Sequence, residues 1–214
     1  MAEPTKLTSP SPPSEEPGTI LVETERIIIR RYHMSDAPVL ASAANNKAIA
    51  ANLRNTFPSP YTLSVAQNFL ANMACKPDGT SHPYHNGLFL KPNTTENPST
   101  EPLFIGAIGA VPKNDMYFRT WEIGYWLAEP AWGKGYMPEA AKAFVRWCFK
   151  TWPELNRIEA VVKEGNVAGL AILKKMGFTH EGARRGAIFK NGEILDEIQF
   201  GFLRSDLEHE NESR

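Results

Sequence analysis

The chain has 214 residues, 42% of them hydrophobic and 22% charged, enough for one well-filled domain and too few for two comfortable ones. Lys and Arg number 23 against 24 Asp and Glu, a net charge of −1, so no overall field draws the protein to nucleic acid or to an anionic membrane. The N-terminal MAEPTKLTSPSPPSEEPG has no apolar signal region, and no apolar run reaches the roughly 20 residues that span a bilayer, so an intracellular, cytoplasmic protein is expected.

Residues 1–19 are rich in Pro, Ser and Glu and have the composition of a disordered tail. Residues 20–207 read as a single domain and 208–214 as a charged C-terminal tail. The β-branched run from Arg26 to Arg31 reads as a first strand. Ser35-Asp36 then signals a helix start, and one alanine-rich helix is expected from Ala37 to Leu53. The prolines of Phe57-Pro58-Ser59-Pro60-Tyr61 forbid a regular helix. Thr62 or Ser64 can cap the next helix, in which Val65, Phe69 and Met73 repeat at intervals of four.

Asn86–Leu90 reads as a strand, KPNTTENPSTEP as a polar loop, and Leu103–Val111 as another strand. Thr120–Leu127, dense in aromatic and β-branched residues, is a further strand. Pro138 stands in the first turn of a long amphipathic helix that ends before Pro153, with Ala140, Phe144 and Trp147 on one stripe. A short strand follows at Arg157–Val162, then a helix from Asn166 to Met176 closed by Gly177. Asn191-Gly192 marks a final hairpin. The expected fold is mixed α/β (α+β). A central, mostly antiparallel sheet contains one parallel pair, demanded by the crossover between residues 120 and 162, and about four helices flank it. Cys75 and Cys148 have neither metal-ligand nor disulfide spacing and read as buried thiols; no metal site is expected.

The string EIGYWLAEPAWGKGYMPEAAKAF puts a strand, a glycine-containing loop and a helix start in succession. Gly133 and Gly135 let the backbone turn tightly and approach a ligand. The first amides of the helix lack intrahelical acceptors and carry the positive end of its dipole, which suits a phosphate or pyrophosphate. Lys134 adds a cation. The loop is neither a Walker loop nor a dinucleotide fingerprint. On these residues alone, a strand-to-helix turn that binds nothing fits as well as an anion site.

The neighbouring motifs resemble the RimJ/RimL-like branch of the GNAT superfamily of acetyltransferases. TERIIIRRY resembles its first strand, FPSPYTLSVAQNFL the entry to its second helix, FIGAIG its third strand, and EGNVAGLAILKKMGFTHEG its last helix. Pro130 stands where the family motif usually has Gln or Arg. The resemblance implies two parallel strands that splay apart, with acetyl-CoA as co-substrate. The pantetheine arm would pair with backbone near Leu127, and the pyrophosphate would sit on Gly133, Lys134, Gly135, Tyr136 and Met137. Asn166 would orient the arm, a role compatible with capping its own helix.

The resemblance also implies transfer of an acetyl group to a primary amine, which must be neutral to attack. Glu122, a lone carboxylate in an aromatic strand, is the implied general base; a surface-facing or ion-paired glutamate is the alternative. A backbone amide would hold the oxyanion. Leu173 occupies the place of the tyrosine that many relatives use as acid, and Gly169 replaces a serine frequent in this branch, so the acid is unassigned. Phe57, Tyr61 and Trp126 are candidate acceptor-lining residues that could equally be packing. His85 could assist, and Asp196 and Glu197 could attract a cationic amine or simply be solvated. The implied acceptor is a protein N-terminal amine. The alternatives are a small amine (polyamine, amino acid or antibiotic) or a non-catalytic acyl-CoA-binding module. A monomer or homodimer is expected.

Overall fold

The computed structural model describes residues 7–207. The charged segment 208–214 and the first six residues of the N-terminal tail lie outside the described residues. Among the described residues eight strands are formed: β1 (Ile20–Glu23), β2 (Ile27–Arg31), β3 (Asn86–Leu90), β4 (Leu103–Pro112), β5 (Thr120–Leu127), β6 (Arg157–Lys163), β7 (Thr179–Lys190) and β8 (Glu193–Leu203). Their order in the sheet is β1-β2-β3-β4-β5-β6-β8-β7, with β5 and β6 parallel. They are accompanied by the α-helices α1 (Ala37–Ala44), α2 (Lys47–Ala50), α3 (Leu63–Phe69), α4 (Tyr136–Thr151) and α5 (Val167–Met176), and residues 204–207 are also helical. The mixed α/β architecture is the expected one.

Three local expectations change. β1 precedes the strand expected to be first. The alanine-rich helix breaks after Ala44, because Asn45 leaves helical geometry (φ −76°, ψ 62°) and the Asn46 side chain accepts from the amides of Ala48 and Ile49 to start α2. α3 passes into a π-turn at Leu70–Ala74, which ends the four-residue repeat and leaves Met73 58% exposed. Thr62 caps α3 by accepting from Val65 N.

The chain divides into two compact units, with β4, β5 and α4 each contributing residues to both. One comprises Pro13–Gly109 and Tyr125–Ala143. In it β1, β2, β3 and β4 pair antiparallel in succession. Tyr32, Leu40, Ala44, Tyr61, Leu70, Phe89 and Phe104 form its core, with Trp126 packed against it. Arg30 reaches both carboxylate oxygens of Asp36 at 2.8 Å. Within residues 13–19, Ser14 O accepts from Arg31 Nε (2.6 Å), and the Glu15 carboxylate accepts from the amides of Ser81 (2.5 Å) and Gly79 (3.2 Å).

The other unit comprises the described residues of 1–12, Ala110–Gly124 and 144–207. β5 pairs with β6 only from Thr120–Arg157 to Glu122–Glu159, while β6 pairs with β8 along its whole length and β8 with β7. Trp121 and Trp152, both fully buried, meet edge to face at 4.7 Å. Arg204 donates to the carbonyls of Phe149, Trp152 and Leu155. Ser9 Oγ donates to Thr151 O (2.6 Å). Asn191 (φ 53°) and Gly192 (φ 87°) make the left-handed turn between β7 and β8. Among the described residues no helix is long and apolar enough to cross a membrane.

Candidate functional site

β5 ends where Ala128 N donates to Ile105 O (2.9 Å); a short turn, Glu129–Ala131, leads through Trp132 to the glycine loop and α4. Gly133 (φ 75°) and Gly135 (φ 78°) are both left-handed, a conformation that other residues adopt at a cost. Residues 132–135 are exposed. Nothing lies within 4 Å of a Cβ placed on Gly133, and one on Gly135 would meet only Arg26 Nη2, at 3.7 Å. Glycine is kept here by backbone conformation rather than by crowding.

In the first turn of α4, Glu139 N reaches Gly135 O at 3.4 Å and Pro138 has no N–H. The amides of Tyr136 and Met137 come earlier still, so neither has an intrahelical acceptor. Tyr136 and Met137 are 3% and 1% exposed. An exposed lysine, two left-handed glycines and a helix start form an arrangement that fits an anion such as a pyrophosphate.

Four further residues, Thr24, Arg26, Trp132 and Glu139, hold this loop. Arg26 Nε donates to Glu139 Oε2 (2.7 Å), Arg26 N to Glu139 Oε1 (3.1 Å), Thr24 Oγ1 to the same oxygen (2.6 Å), and Arg26 Nη1 to Lys134 O (3.3 Å). The guanidinium also lies 4.8 Å from the centre of the Tyr136 ring. Its hydrogen bond to Glu139 raises the Arg26 pKa. Burial pushes the Glu139 carboxyl up, but the hydrogen bonds from Thr24 and Arg26 together hold it below the ordinary carboxylate value. Trp132 Nε1 donates to Leu127 O (2.7 Å), leaving that carbonyl one further lone pair.

Phe57, Tyr61 and Trp126 are brought together. Phe57 lies 5.0 Å from Tyr61 and 6.1 Å from Trp126, and Trp126 lies 6.0 Å from Phe104. Tyr61 is 5% exposed, and burial pushes its hydroxyl up to about 12. The trio therefore packs as an extension of its unit's core, with Phe57 and Trp126 half-buried at its margin. His85 is half-buried with its ring 5.1 Å from Phe69, and burial lowers its pKa.

Glu122 and Asn166 belong to the other unit. Glu122 is half-buried on β5 between the buried Trp121 and Ile123. Asn166 is the cap of α5, accepting from Gly169 N at 3.0 Å. A Cβ on Gly169 would come within 2.7 Å of Asn166 Nδ2, so glycine at that position gives the asparagine room. Leu173 is fully buried. Asp196 accepts from Gly186 N (2.8 Å) and Glu197 from Arg184 (2.9 Å), so both acids are engaged within the hairpin. Among the described residues no group of three or more His, Cys, Asp and Glu could hold a metal ion.

Sequence reasoning singled out the glycines, Lys134 and the helix start, and missed Arg26, Glu139, Thr24 and Trp132. An arginine in the turn between β1 and β2 and a glutamate in a helix first turn, 113 residues apart, give no local signal of pairing. The one available cue was the placement of an acid among residues expected to receive an anion.

Residues 26–179 match the family described as the acetyltransferase (GNAT) domain. The N-acetyltransferase p20 of Bacillus licheniformis, itself uncharacterised, is 35% identical over 184 residues, 86% of this chain and 96% of that protein. YdaF of Bacillus subtilis is 32% identical over 96 residues, 45% of this chain, and that match spans only about half (52%) of YdaF. In structure, the RimL ribosomal L7/L12 α-N-protein acetyltransferase solved with coenzyme A superposes with a TM-score of 0.66 at 20% identity, covering 87% of this chain and 99% of that one. Motif order, sheet and matched length agree: the chain belongs to the GNAT family of acetyltransferases.

Proposed function

We propose that this protein acetylates a primary amine of the protein N-terminal class, with Gly133–Met137 receiving the pyrophosphate of acetyl-CoA. The observation that carries the reading is the pair of left-handed glycines, Gly133 and Gly135, leading directly into the first turn of α4. The N-terminal-amine acceptor is supported by the likeness to RimL.

Acetyl-CoA, when bound, supplies an acetyl group activated as a thioester. Glu122 takes the proton from the attacking amine, directly or through water. The backbone of β5 holds the pantetheine arm near Leu127 and provides the amide for the oxyanion. Asn166 orients the arm while capping α5. Phe57 and Trp126, half-buried at the margin of the core that encloses Tyr61, present an apolar surface to the acceptor. Leu173 has no proton to give, so the departing sulfur is protonated by the substrate ammonium or by water.

Release of free thiol is followed with a panel of N-terminal peptides and small amines, alongside coenzyme A titration by calorimetry. Gly135→Glu, which puts a like charge against the pyrophosphate, is expected to weaken coenzyme A roughly tenfold or more, about 1.4 kcal/mol. Unchanged affinity in the folded variant removes the loop assignment. Glu122→Gln is expected to cut turnover by about 10²-fold or more with little change in coenzyme A affinity; full turnover across the pH range removes the base. Acetylation of small amines alone replaces the acceptor class, and binding without turnover leaves an acyl-CoA-binding module.

A further inference from the structure

Glu139 is misplaced for a residue beside an anion. It stands in the first turn of α4, four residues after Gly135, with 22% of its side chain exposed. A carboxylate at a helix N-terminus suits the helix dipole but opposes a negatively charged ligand at the same end. Thr24 and Arg26 deliver three hydrogen bonds to this carboxylate, and the Arg26 guanidinium approaches it to 2.6 Å through Nη2. The same guanidinium reaches the Lys134 carbonyl and lies under the Gly135 turn. One cation therefore touches the acid, the loop backbone and the Tyr136 ring.

We propose that Arg26 is a positioning and charge-setting residue of the cofactor loop. It cancels the Glu139 carboxylate so that the α4 amides and Lys134 present a net positive field, and it fixes the Lys134 carbonyl so that Gly133 and Gly135 keep their turn. This rests on the reading of the loop as the pyrophosphate site. The coupling has a definite sign. Removing the guanidinium alone leaves an uncompensated carboxylate beside the anion. Removing the carboxylate alone leaves an extra cation there. Removing both restores the original charge, and only the mechanical support is lost.

The test is calorimetric titration of coenzyme A into the full-length protein and its Arg26→Met, Glu139→Gln and Arg26→Met/Glu139→Gln variants, with thermal unfolding as a check on folding. Expected are a loss of about tenfold or more for Arg26→Met, affinity equal to or above wild type for Glu139→Gln, and recovery to within about threefold of wild type for the double variant. The Arg26→Met deficit shrinks as salt is raised, which a purely structural lesion does not do. Arg26→Lys, which keeps the charge without the fork, retains most of the affinity and serves if Arg26→Met does not fold. Wild-type affinity in folded Arg26→Met, or a double variant as weak as Arg26→Met, overturns the proposal. Wild type that binds no coenzyme A overturns the pyrophosphate reading and the role of the pair with it, whereas binding by wild type and Arg26→Met alike overturns the pair alone.

Discussion

The indole N–H of Trp132 donates to the carbonyl of Leu127 across 2.7 Å, closing the five-residue turn that carries the chain from β5 to the glycine loop. Trp132 is 44% exposed, so its conformation rests on this hydrogen bond more than on packing. Trp132→Phe keeps the ring and deletes the donor. It is expected to lower stability by ~0.5–1.5 kcal/mol, measured from denaturant midpoints, and to raise the KM for acetyl-CoA more than it changes kcat. Unchanged KM would show that the turn holds its shape without the indole.

Gly106 on β4 faces the Trp126 carbonyl so closely that a Cβ would overlap it, and the same Cβ would lie 2.9 Å from Leu127 Cα. Both neighbours are backbone and cannot swing aside. Gly106→Ala is expected to destabilise the protein by about 1–3 kcal/mol, as overpacking does, and to shift the backbone of β5 at Trp126–Leu127. Amide chemical shifts of those two residues and the thermal midpoint check it; a silent substitution would mean that β4 and β5 relax freely there.

The two cysteines differ in reach. Cys148 is fully buried in α4, and burial pushes its thiol well above the ordinary value. Cys75 is half-buried and donates from Sγ to Tyr32 O at 3.4 Å, its thiol also raised by burial. A thiol reagent at pH 8 is expected to modify Cys75 slowly and Cys148 only on unfolding. One slow equivalent followed by a second in denaturant is the predicted titration; rapid modification of both would contradict this burial.

His85 carries a pH signature. Burial lowers its pKa, so the folded state favours the neutral ring while the unfolded chain titrates near 6.5. Its contribution to stability is complete above about pH 6.5 and is lost as pH falls from there through the lower folded-state value, because the unfolded chain binds the proton first. His85→Phe, which keeps an aromatic ring against Phe69, is expected to flatten that part of the stability profile in urea titrations at pH 5 and pH 7.5. An identical slope in the variant would assign the acid sensitivity to other groups.

Local signals were legible wherever a residue's conformation depends on near neighbours. The aromatic run of β5, the apolar stripe and early proline of α4, the asparagine cap and left-handed Gly177 of α5 and the Asn191-Gly192 turn all follow from chemistry within a few residues. β1 was missed because four residues at a sheet edge, ILVE, carry no periodic pattern long enough to read. The break between α1 and α2 was hidden because alanine content favours a helix that the Asn46 side chain then restarts. At the candidate site the glycines were readable by type. The partners of Arg26 were not, since a hydrogen bond between a turn and a distant helix exists only once the sheet has formed. Leu173 was readable as a leucine where many relatives have a tyrosine, and the structure buries it fully.

The brace on the glycine loop also limits how portable that loop is. A segment from Ala128 to Ala140 transplanted into another strand–loop–helix scaffold would carry its glycines, its lysine and its helix start, and also its glutamate. It would leave behind the arginine and threonine that hold that acid, since both arrive from the turn between β1 and β2. Such a graft would show the motif without its field, so borrowing this loop by engineering means moving Thr24 and Arg26 with it or replacing Glu139.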